Sequence, residues 1–119
     1  MARKTRETLR AAKNCAVSLN GLQRFDEAKS LIRKTLPVAQ RVLGESDEFT
    51  LKMRNNYAEA LYEDASATLD DLREAVTTLE EVEPIARRVL GGAHPVTVSI
   101  EESLREARAV LLVVREAQV

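Results

Sequence analysis

Tryptophan is absent from this chain of 119 residues, phenylalanine and tyrosine occur twice each, and cysteine and histidine once each. A single Cys15 excludes an internal disulfide and favours a reducing compartment. His94 has no second His or Cys to join it, which leaves no zinc spacing and no Cys–His catalytic pair, so no metal is expected. With four glycines there is no glycine-rich phosphate loop, and no nucleophile elbow is present. The scarcity of aromatics removes the stacking platforms that single-stranded nucleic acid needs. The longest apolar run, Ala109 to Val114, is six residues, against the roughly 20 that a membrane span requires. The start, Met1-Ala2-Arg3-Lys4, is basic but not followed by an apolar stretch, so neither a signal peptide nor membrane attachment is expected, and a soluble, cytoplasmic protein is. No segment alternates polar and apolar with period two over a useful length, and no strand is expected.

What the chain does contain is helix-forming: Ala, Leu, Val, Glu and Arg dominate, and 31% of residues are charged. The net charge of −1 exerts no overall pull toward nucleic acid or membrane. Its distribution is uneven. Residues 1–43 carry ten bases against three acids, and residues 44–83 carry twelve acids against Lys52, Arg54 and Arg73. This polarity either steers partners or belongs to two solvated faces of opposite sign.

The chain also repeats itself. Thr8-Leu9 with Asn14, Ala16 and Leu19 recurs 42 positions later as Thr50-Leu51 with Asn56, Ala58 and Leu61. Glu27, Ala28, Pro37, Ala39, Arg41, Val42, Leu43 and Gly44 recur 47 positions later as Glu74, Ala75, Pro84, Ala86, Arg88, Val89, Leu90 and Gly91. A five-residue insertion between Leu61 and Leu72 accounts for the two periods. Repeats of this length with helical spacing inside them predict stacked helical hairpins.

The apolar stripes predict five helices over about residues 5–20, 24–43, 48–64, 69–90 and 95–117. Leu9, Ala12, Ala16 and Leu19 mark the buried side of the first, with Cys15 beside it as a small packed residue. Gly21 is expected to close this helix in the left-handed conformation. Ser46 or Asp47 caps the third, Thr68 to Asp71 form a capping box, and His94 followed by Pro95 opens the fifth. Pro37 and Pro84 predict matched kinks or breaks in the second and fourth helices.

In Asn14-Cys15-Ala16 and Asn55-Asn56-Tyr57-Ala58, in Arg24-Phe25-Asp26-Glu27-Ala28 and Leu72-Arg73-Glu74-Ala75, the chain resembles the tetratricopeptide repeat family. Arg41-Val42-Leu43-Gly44 and Arg88-Val89-Leu90-Gly91, continuing into Ala93-His94-Pro95-Val96-Thr97, are similar to its long-repeat, kinesin-light-chain type. The match covers about residues 8–100. It departs where the Glu63–Asp71 loop replaces the usual glycine and where Arg105 stands in place of the small residue at Ala58.

The resemblance implies an all-α fold: a right-handed solenoid of about two hairpins plus a C-terminal capping helix, forming one domain. It implies a non-enzymatic module, with no catalytic residue and no cofactor, that binds a protein or peptide segment in a concave groove. Position by position it assigns Lys13, Asn14, Val17, Asn20, Lys52, Asn55, Asn56, Glu59, Tyr62 and Glu63 to that groove, with Glu102 and Glu106 as weaker members. For Asn14 and Asn56 the competing role is hydrogen bonding between helices. For Lys52, Glu59 and Glu63 it is solvated i,i+4 pairing. On the last helix, Leu104, Ala107, Leu111 and Val114 form one stripe, and Leu112 and Val113 are left over. Those two residues are expected to be partly exposed and to make a homodimer contact or abut a further repeat. The alternative function is therefore a structural self-assembly unit. Nucleic acid is disfavoured as a partner, because the bases are spread around two helices without interleaved aromatics.

Overall fold

The computed structural model describes the backbone of residues 2–118 and the side chains of residues 5–118. The side chains of the basic Met1–Lys4 stretch lie outside the described residues. Five α-helices follow one another: α1 (Ala2–Gly21), α2 (Phe25–Leu43), α3 (Glu48–Tyr62), α4 (Leu69–Leu90) and α5 (Pro95–Ala117). Among the described residues there is no strand, and the chain is all-α. Each helix packs on the next in sequence; in addition α3 meets α5, and α1 meets α3. The body measures 52 × 30 × 20 Å.

The turn chemistry explains the boundaries. Gly44 and Gly91 end α2 and α4 in the same conformation, φ 94° and ψ 161° for the first, φ 94° and ψ 154° for the second. That region is all but closed to residues with a Cβ. Three residues on, Asp47 and His94 cap α3 and α5, again with matching backbones. The Asp47 carboxylate accepts from Phe49 N–H at 2.8 Å, and His94 Nδ1 accepts from Val96 N–H at 3.1 Å. Thr68 and Asp71 form the reciprocal capping box of α4. A Cβ built on Gly44 or Gly91 meets no atom, so substitution would carry backbone strain alone. Gly44→Ala and Gly91→Ala are each expected to cost about 1–3 kcal/mol in urea unfolding. Equal stability to wild type would show that these turns relax freely.

The close of α1 differs from expectation. Gly21 remains helical, and Gln23 takes the left-handed conformation at φ 62°. Arg24 N–H donates to Leu19 O at 2.8 Å and Gln23 N–H to Asn20 O at 3.0 Å. This is a Schellman closure built around a glutamine, shifted two residues past the glycine. Pro37 and Pro84 each sit inside one uninterrupted helix, so neither helix is broken in two. Both prolines face outward, where water can serve the carbonyl that loses its amide.

Two apolar clusters hold the helices together, and α3 belongs to both. Met53 packs with Leu9, Ala16, Ile32 and Ala39 of α1 and α2. Leu51, Ala58 and Leu61 pack with Leu72, Ala75, Leu79 and Val82 of α4 and with Ile100, Leu104 and Ala107 of α5. Helix α3 is therefore covered on opposite sides, and Thr50, Asn55, Ala60 and Tyr62 are buried along with its apolar stripe. The stripe of α5 behaves as expected: Leu104 and Ala107 are buried, Leu111 and Val114 pack at its margin, and Leu112 and Val113 are 49% and 65% exposed. Cys15 is exposed rather than packed. Its neighbour Ala16, about 100° around the helix, takes the buried position instead.

Charges tie the helices on the outside. Arg54 reaches Glu81 at 2.6 Å, Arg108 reaches Glu80 at 2.9 Å and Arg87 reaches Glu101 at 2.6 Å. The adjacent acids Glu80 and Glu81 thus engage different helices and do not form a carboxylate pair.

Candidate groove across three helices

Helices α1, α3 and α5 share one face, and their side chains enclose two adjoining hollows. The larger, of about 830 Å³, is lined by Val17 and Asn20 of α1, Gln23 and Phe25 beyond it, Asn56, Glu59 and Tyr62 of α3 with Glu63, and Glu106 and Val110 of α5. The smaller, of about 470 Å³, is lined by Lys13 and Val17 of α1, Glu48, Lys52, Asn55 and Glu59 of α3, and His94 and Ser99 next to and within α5. Val17, Asn56 and Glu59 line both. Spacings of three, four and seven put these residues on one helical face, which is why two separate helices present them in parallel rows.

Of the positions assigned to the groove from sequence, the structure gathers Lys13, Val17, Asn20, Lys52, Asn55, Asn56, Glu59, Tyr62 and Glu63 around these hollows. Asn14 is exposed and lines neither. It occupies the side of α1 away from α3, whereas its counterpart Asn56 is half-buried between α1 and α5. Glu106 joins the larger hollow, and Glu102 stays outside on the exposed surface of α5. Gln23, Phe25, Val110, Glu48, His94 and Ser99 were not legible as lining residues. Gln23 and His94 belong to turns, Phe25 and Glu48 are the first residues of α2 and α3, and Ser99 and Val110 lie on a helix whose rotation no repeat partner specifies.

Hydrogen bonds between helices fix the floor. Asn20 Nδ2 donates to Asn56 O at 3.1 Å, Asn55 Nδ2 to Ser99 Oγ at 3.3 Å, and Tyr62 Oη to a Glu106 carboxylate oxygen at 2.9 Å. At the other end His94 Nε2 lies 2.9 Å from Glu48, while its Nδ1 accepts the capping bond. One neutral tautomer, with the proton on Nε2, satisfies both contacts. Lys52 pairs with Glu48 at 3.5 Å rather than with Glu59. Lys13 lies over the Phe49 ring, 5.8 Å from its centroid.

The far end is acidic and crowded. Burial, reinforced by the charges of Glu63 and Glu106, pushes the Glu59 carboxyl up to about 7. Burial, with Glu106 adding, also raises Glu63. Burial raises the Tyr62 phenol, and its hydrogen bond to Glu106 works in the same direction. Among the described residues no Lys or Arg pairs with these three carboxylates, and no group of three or more His, Cys, Asp or Glu side chains could hold a metal ion. No helix among the described residues is long and apolar enough to cross a membrane.

Neither a protein-family model, nor a curated protein, nor a solved structure matches this chain.

Proposed function

We propose that the chain is a tetratricopeptide-like stack of helical hairpins that binds a peptide or protein segment, without catalysis, along the face shared by α1, α3 and α5. The observation that carries this reading is the pair of joined hollows, with apolar Val17 at their junction and amides on either side. A segment lying along α3 would find amide groups for its backbone and apolar walls for its side chains. The matching turns at Gly44–Asp47 and Gly91–His94 support a repeated hairpin unit.

Val17 is 49% exposed, so Val17→Arg should fill the junction without disturbing the core. Peptides selected from a phage-displayed random library on the wild-type protein are expected to lose at least about tenfold in affinity for this variant, with the helical circular dichroism unchanged. Peptides that bind both proteins equally would refute the groove reading.

The exposure of Leu112 and Val113 favours a second reading, in which α5 joins copies of the chain and the groove stays empty. A concentration-dependent sedimentation coefficient, abolished by Leu112→Glu with Val113→Glu, would support it, whereas a monomer at high concentration would dismiss it.

A further inference from the structure

Around the two hollows, the buried side-chain atoms left without a hydrogen bond are amide oxygens. Asn20 Nδ2 is committed to Asn56 O, so the amide cannot turn over without setting two oxygens against each other, and Asn20 Oδ1 is buried with no hydrogen bond. Asn55, only 6% exposed, lines the adjoining hollow beside Glu59, and its Oδ1 is likewise buried and unpartnered. To these are added the carboxylates of Glu59 and Glu63 at the larger hollow, and that of Glu106, which accepts from Tyr62 Oη and keeps further lone pairs free.

The acids stand where helix physics disfavours them. Glu59 and Glu63 occupy the C-terminal end of α3, whose last turn contains no basic residue. The exposed carbonyls of a helix C-terminus already carry partial negative charge. The last turn of α1, which borders the same hollow, is also without a base. Glu106 serves the fold by accepting from Tyr62 Oη, whereas burial and the neighbouring charges disfavour the ionised form of Glu59.

Resting on the peptide-binding reading above, we infer that the larger hollow receives a basic side chain, an arginine above all, from the bound segment, held among Glu59, Glu63, Glu106 and the free oxygen of Asn20. The guanidinium matches the deficit: it offers five N–H donors in a planar fork and accepts nothing. Its methylenes would lie against Val17, Phe25 and Val110. The described acids do not form a metal-holding group, which directs the inference to an organic cation.

The test uses the library-selected peptides whose binding is lost in Val17→Arg. Arginine or lysine is expected to be enriched at one position. Exchanging that arginine for citrulline, neutral and nearly isosteric, should weaken binding by about tenfold or more. In the variant Glu59→Gln with Glu63→Gln and Glu106→Gln, arginine and citrulline peptides should bind alike. Circular dichroism and thermal unfolding check that this variant is folded; the single change Glu59→Gln serves in its place if it is not. Groove-dependent peptides without a basic residue, or equal affinity for arginine and citrulline on the wild type, would overturn the inference and leave peptide binding intact. If no selected peptide is sensitive to Val17→Arg, both readings fall together.

Discussion

Leu79→Ala is expected to remove about 3 kcal/mol of stability, within the 2–5 kcal/mol typical of a buried leucine cut back to alanine. Leu79 has no solvent exposure and sits in α4 in the apolar cluster that joins α3 to α5. For a domain of this size, with about 5–15 kcal/mol in total, that is a large share. The consequence reaches the groove, because α4 is the platform that holds α3 and α5 side by side. Urea unfolding should show a lowered midpoint with a similar slope. A change below about 1 kcal/mol would mean that the site collapses around the missing methylenes, and that the α4 interface is looser than its burial implies.

Glu59→Gln should act in the opposite sense, and only at one end of the pH scale. The carboxyl has an ordinary value of 4.5 and is pushed up to about 7 in the folded chain. Below pH 4.5 it is protonated in both states and costs nothing. As pH rises from about 4.5 to about 7 the unfolded chain ionises first, so stability is lost across that window. The full difference corresponds to ~3 kcal/mol, and solvent at this half-buried site reduces it to about 2 kcal/mol. Glutamine keeps the shape and cannot ionise. The variant is therefore expected to exceed wild type by about 2 kcal/mol at pH 8 and to equal it at pH 4. Parallel stability curves for the two proteins over this range would show that the Glu59 charge is well solvated.

Such a gain in stability bears on function. It would make Glu59 a group whose ionised form the proposed basic ligand stabilises and the fold does not. Gln23, a non-glycine residue in the left-handed region, also lines the larger hollow.

Much of this architecture is legible in the amino-acid sequence. Helix starts were readable because Asp47, Thr68 and His94 cap through contacts spanning two or three residues. The ends of α2 and α4 were readable because a backbone at φ 94° calls for glycine. The closure of α1 is not legible in this way, because a glycine stands at position 21 and the chain turns at Gln23 instead. Most groove positions followed from the row of residues that α1 and α3 share at a spacing of 42. Asn14 was misplaced by the same logic: matching positions on two helices have matching surroundings only where both have neighbours on the same sides. Asn56 has α1 and α5 within reach, and Asn14 has no described helix beyond it.

What local chemistry dictated in this chain is the number, extent and capping of its helices, since spacing, turn residues and short-range hydrogen bonds act within a few residues of one another. Three-dimensional assembly was needed to bury α3 on opposite sides, to leave Cys15 in water, and to bring Glu59, Glu63 and Glu106 together with none of the described Lys or Arg side chains paired to them. Those outcomes depend on how far each helix rotates about its axis and on which helix lies beside it, and side-chain charges interact through distances in space that the order of residues does not record.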